Sequence, residues 1–105
     1  MKESDMVSNP NVAYQIGRYF AVVERANMLT TKKELPFDFA MYICACPRQY
    51  VMKLAKRMDE LNCRDFVIKE TVLEIWDKIN EIPARFGPQE QAQYVAGRYH
   101  QQANF

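Results

Sequence analysis

The sequence is poor in the residues that small active sites draw on. One histidine, three cysteines and three glycines occur in 105 residues. An enzyme needs a nucleophile or an acid–base pair, and here the single imidazole, His100, has no serine or cysteine beside it in a recognised setting. No catalytic residues are expected. With so few glycines there is neither a glycine-rich phosphate loop nor a dinucleotide fingerprint. Cys44, Cys46 and Cys63 are an odd set without the spacing of a secreted disulfide framework, which fits a reducing compartment. They read as small buried hydrophobes. Three thiolates and His100 would satisfy zinc by ligand type, but Cys-X-Cys on a helix aims its two sulfurs about 200° apart. No metal or other cofactor is expected. No apolar run is long enough to span a bilayer, and the opening "MKESDMVSNP" has no apolar secretion segment, so a cytoplasmic protein without a membrane partner is expected. Neither sign of charge dominates. Fourteen Lys and Arg against thirteen Asp and Glu leave a formal +1, so any attraction to a polyanion has to come from segregation of cations on one face.

What the chain does have is helical periodicity. An apolar fraction of 49% with 26% charged residues is the balance of a folded domain, and the length suits one core. Residues 1–8 are polar and read as a flexible leader; residues 9–105 read as one domain with no repeat or linker. In the first helix Asn9 is placed to cap and Pro10 to occupy the first turn, and the helix is expected to run to about Asn27. Val12, Ile16, Tyr19, Phe20 and Val23 share one side, and Asn11, Gln15, Arg18 and Arg25 another. Gly17, in mid-helix, costs roughly 1 kcal/mol against alanine and is either tolerated or the mark of a close backbone approach. The apolar run "FDFAMYICA" (37–45) is read as helix from its context. Pro47 opens a helix whose Val51, Leu54, Ala55, Met58 and Leu61 cluster on one side. Asp65 caps the next, in which Ile68, Val72, Ile75, Ile79 and Ile82 recur in steps of three and four until Pro83 stops it, with Lys69, Glu70, Glu74, Asp77, Lys78 and Glu81 opposite. Gly87 and Pro88 then start a last helix with Glu90 in its first turn. The sum is an all-α bundle of four to five helices.

Two polar patterns bear on function. Arg48, Lys53, Lys56 and Arg57 fall opposite the apolar stripe of the 47–61 helix and make a stripe suited to a phosphate backbone, which is held by charge and hydrogen bonding without base reading. Arg18 and Arg25 extend that track if the helices pack side by side. The stretch "EQAQYVAGRYHQQ" (90–102) repeats Gln91, Tyr94, Arg98 and Gln101 or Gln102 at helical steps, with Ala92, Val95 and Tyr99 on an adjoining side expected to enter the core. It reads as a docking helix, with Gln91, Tyr94, Arg98 and Gln102 as subunit-interface candidates, because Tyr and Arg join large contact area to hydrogen bonding.

"AYQIGRYFAVVERAN" (13–27) and "EQAQYVAGRYHQQ" (90–102) resemble the two signature segments of the C-terminal region of the type I-C CRISPR large subunit, which in that family is also made separately as the Cascade small subunit. The resemblance covers roughly residues 9–103. Between the signatures it is carried only by helical, proline-punctuated character, with "ACPRQYVMKLAKRMDEL" as the counterpart of the basic middle helix. It implies a non-catalytic subunit in the belly of a guide-RNA surveillance complex. The partners it implies are the Cascade backbone and large subunits, other copies of the same chain, and the crRNA–target DNA R-loop. Guide pairing supplies sequence specificity there, so such a subunit offers shape and cations. The phosphate-contact candidates are Arg18, Arg25, Arg48, Lys53, Lys56 and Arg57. A purely structural adaptor that never touches nucleic acid is the competing expectation.

Overall fold

The computed structural model describes residues 10–35 and 42–105, and the expected leader at 1–8, the Asn9 cap and most of the 37–45 run lie outside them. The described residues form an all-α bundle: α1 (Pro10–Thr31), α2 (Pro47–Leu61), α3 (Phe66–Asp77) and α4 (Pro88–Ala103). Among the described residues, α2, α3 and α4 each pack against α1. That position explains its composition. Val12, Ile16, Tyr19, Phe20 and Val23 are buried as their spacing predicts, but so are Ala13, Ala21, Val22 and Ala26, so α1 is apolar nearly all round. The expected polar side is correspondingly reduced, with Gln15 buried and Arg18 half-buried.

α1 runs one turn beyond the expected Asn27. Asn27 is itself buried and fully used: its amide donates to the Lys33 carbonyl (2.7 Å), and the Thr31 hydroxyl bonds back to its main-chain oxygen (2.8 Å). Lys32, in the left-handed region at φ 64°, closes the helix by donating its N–H to the Met28 carbonyl (2.9 Å). Within 37–45, Tyr42 is helical and residues 43–45 form a turn, the N–H groups of Ala45 and Cys46 both folding back on the Tyr42 carbonyl. α2 starts at Pro47 as expected and ends on Asn62 in the left-handed conformation that asparagine tolerates. Asp65 caps α3, its carboxylate accepting from the Ile68 N–H at 3.0 Å.

α3 stops at Asp77, six residues short of Pro83. The apolar period nevertheless continues, since Ile79 and Ile82 still pack against the core from a non-helical strap. Arg48 holds that strap by donating to the Ile82 carbonyl (3.0 Å), and the Phe86 N–H reaches the Cys44 carbonyl (3.3 Å). Periodic burial here outlasts the helix. Pro83 contributes by excluding Ile82 from helical dihedrals. α4 opens as expected, the Gly87 N–H donating to the Glu90 carboxylate at 2.7 Å.

Gly17 and Gly97 mark the point where α1 crosses α4. A Cβ built on Gly17 would run into the Tyr94 carbonyl oxygen and stand 2.9 Å from the Arg98 nitrogen; one on Gly97 would run into the Tyr14 carbonyl. Gly17 is therefore the mark of a close approach, and Gly97 is its partner. A short repeat underlies the reciprocity: Tyr14-X-X-Gly17-Arg18-Tyr19 recurs as Tyr94-X-X-Gly97-Arg98-Tyr99, contrary to the reading of a repeat-free chain. The two copies face each other about a local twofold. Tyr94 meets Phe20 edge-on at 6.2 Å, and at the related place Tyr14 meets His100 edge-on at 5.6 Å.

Candidate nucleic-acid interface

The six cations expected to contact phosphate do not share one surface. Arg18 is consumed by the fold. Its Nε donates to Gln101 (2.8 Å), Nη1 to Gln15 (2.9 Å) and Nη2 to Glu74 (3.1 Å), so its guanidinium ties α1 to α3 and α4. Lys78 supports the same carboxylate at 2.9 Å, and these donors, Lys78 first and then Arg18, hold Glu74 below the usual carboxylate range. Arg25 is exposed but stands away from α2, over the Phe105 ring at 5.7 Å, lining a hollow of about 270 Å3 with Asp65, Val67 and Asn104. The expected track along α1 is absent because α1 is the buried hub and its arginines turn towards α3 and α4.

On α2 the four cations divide. Arg48 turns to the Ile82 carbonyl of the strap, whereas Arg57, nine residues later and thus about 180° round the helix, turns to α1 and donates to the Asn27 side chain at 3.0 Å. Arg57 also lies 3.7 Å from Glu60, a pair too exposed to matter much for stability. Lys53 and Lys56 are exposed with no carboxylate partner among the described residues. Asn27 binds the Lys33 carbonyl as well as Arg57, so it brings the Lys32–Lys33 turn beside the α2 cations. The resulting corner combines Lys32, Lys33, Lys53, Lys56 and Arg57. Its α1 contribution was invisible to helical spacing within α2. The only sequence hint was the Lys-Lys pair in "TTKKELP".

The expected docking face of α4 is split, with Tyr94 and Arg98 turned inward and Gln91 and Gln102 exposed. Tyr94 is buried against Phe20 and Phe86, and burial raises its phenol well above the ordinary tyrosine value. Arg98 makes a two-pronged pair with Glu24 at 3.1 and 2.8 Å and covers the Phe20 ring at 4.8 Å. Gln102 adds a bond to Glu24 at 3.3 Å, and Gln91 donates to the Phe86 carbonyl at 3.3 Å. The side expected to enter the core faces outward instead: Ala92 and Val95 are exposed, and Tyr99 is 66% exposed. The inversion follows from Gly97, which lets α1 approach only on the Tyr94–Gly97–Gln101 side.

Among the described residues no three His, Cys, Asp or Glu side chains converge as a metal site, and no helix is long and apolar enough to cross a membrane. Burial pushes the Cys44 thiol up, away from the thiolate form that metal binding or nucleophilic attack requires. No protein-family model matches the chain, and no curated protein matches it either.

Proposed function

We propose that this chain is a non-catalytic small subunit of a type I-C CRISPR surveillance complex, bridging the other subunits in the belly of the complex and holding target DNA strands of the R-loop through backbone contacts. The observation that carries the reading is where the two resembling segments lie. They are the two halves of the Gly17–Gly97 crossing, so the resemblance falls on the contact that organises the whole domain. The corner of Lys32, Lys33, Lys53, Lys56 and Arg57 supplies cations for phosphates, and its lysines, compact and mobile point charges, suit backbone holding better than base recognition. Arg18 and Arg48 drop out of the contact set because the fold uses them, and Arg25 lies apart.

Co-expression with the other complex subunits and guide RNA tests the assignment: the chain co-purifies, and leaving it out loosens target binding. Within the assembled complex, Lys53→Glu with Lys56→Glu weakens target retention and flattens its salt dependence. Unchanged retention at every salt concentration removes this corner from the interface. The second reading, a protein-bridging adaptor without nucleic-acid contact, is favoured by the apolar side chains left on the outside of α3, where Phe66 and Leu73 are 70% and 71% exposed. Crosslinking from residues 48–57 to DNA separates the two.

A further inference from the structure

Beside the cationic corner the molecule carries an aromatic ledge. Tyr42 and Tyr50 stack with ring centroids 5.7 Å apart and planes 23° from parallel, and Lys53 sets its ammonium 4.7 Å from the Tyr50 ring centroid. Tyr42, the outer ring, is 43% exposed. Tyr50 is partly buried against the core, whereas Tyr42 lies at the surface while the neighbouring Ile43 fills the interior. Among the described residues most other aromatic pairs use their edges, and Phe86 is tilted 39° from Tyr94. Tyr19 on Trp76, Phe20 on Tyr94 and Tyr14 on His100 are all T-shaped, and among these ring pairs only Tyr42 and Tyr50 present a near-parallel stack.

We propose that this ledge is a stacking site for an unpaired base, so that the corner binds single-stranded nucleic acid in preference to duplex. The inference rests on the nucleic-acid reading above and narrows it to a strand type. A nucleobase laid on Tyr42 extends the existing two-ring stack, and the phosphates on either side of that base fall to Lys53 and to the Lys56–Arg57 turn, which follows within a rise of roughly 6 Å along α2. That rise matches the step between consecutive nucleotides of an extended strand. Only an unpaired base has a face to give, since duplex bases are already stacked on one another. Stacking is tolerant of base identity, which suits a chain whose partners are selected elsewhere by pairing.

The test is binding of a labelled oligothymidine and of a duplex of equal length to the full chain across a salt series. Wild type binds the single strand more tightly than the duplex. Tyr42→Ala lowers single-strand affinity by roughly 5- to 100-fold while leaving duplex affinity and the salt slope unchanged, and Tyr42→Phe keeps wild-type binding because it keeps the ring. Lys56→Glu weakens both ligands and flattens the slope. If Lys56→Glu acts but Tyr42→Ala has no effect, or weakens both ligands equally, the ledge is not a stacking site and only this inference falls. A wild-type chain that binds neither ligand at low salt overturns the ledge and the nucleic-acid reading together.

Discussion

At the α1–α4 crossing and on the outer flank of α2 the chain uses the same chemistry in opposite ways. Arg98 lies over Phe20 and is locked to Glu24, while Lys53 lies against Tyr50 with no acid to neutralise it among the described residues. Tyr94 is sealed between Phe20 and Phe86, while Tyr42 extends a stack towards solvent. In the first region each cation meets a carboxylate and serves stability; in the second, Lys53 and Lys56 meet none among the described residues. A cation over an aromatic ring is thus uninformative until its remaining neighbours are known. The counter-ion decides whether it is structural.

The comparison breaks most sharply at the crossing. Gly97→Ala gains about 1 kcal/mol of helix propensity but forces a methyl group into the Tyr14 backbone, and a backbone carbonyl cannot swing aside as a side chain can. A net loss of about 2 kcal/mol is expected, read as a lower urea midpoint, and a midpoint at or above wild type would mean that α1 and α4 are not in backbone contact. A smaller effect separates the Arg18 network from the α2 flank by pH. The folded-state value of Glu74 is lowered, so its contribution is present above the ordinary glutamate value of about 4.3 and is lost as pH falls through the lower folded value. The stability gap between wild type and Glu74→Gln, measured by urea titration, therefore closes as the solution is acidified below that point. Least of all should happen to stability on the flank itself: Lys53→Glu with Lys56→Glu shifts the unfolding free energy by no more than about 0.5 kcal/mol, because neither lysine has a carboxylate partner among the described residues. A large loss there would show that the flank, too, is structural.

Much of the bundle was legible. Pro10, Pro47 and Pro88 open helices, Asp65 caps one, and the apolar stripes of α1, α2 and α3 are buried where spacing put them. The end of α3 was not, because Ile79 and Ile82 keep the helical period while packing from an irregular strap. The site was less legible than the fold. Of the six expected phosphate contacts, Lys53 and Lys56 are exposed in the corner without a carboxylate partner among the described residues and Arg57 borders it through Asn27, whereas Arg18 and Arg48 are spent on other elements and Arg25 faces Phe105. The four residues expected on a subunit interface all serve the interior or its rim, and Tyr42 and Tyr50 were passed over because a stacked pair eight residues apart across a turn has no helical spacing.

The sequence by itself determined where the helices start and which faces of α1, α2 and α3 carry oil, since propensity, capping and periodic burial act over a few residues. Only the tertiary structure decided which polar groups are spoken for. Arg18 and Arg98 find their carboxylates 56 and 74 residues away, and α4 turns Tyr94 rather than Tyr99 inward because two glycines 80 positions apart permit contact on one side alone. Pairing and close approach depend on distances between elements, which local patterns do not encode.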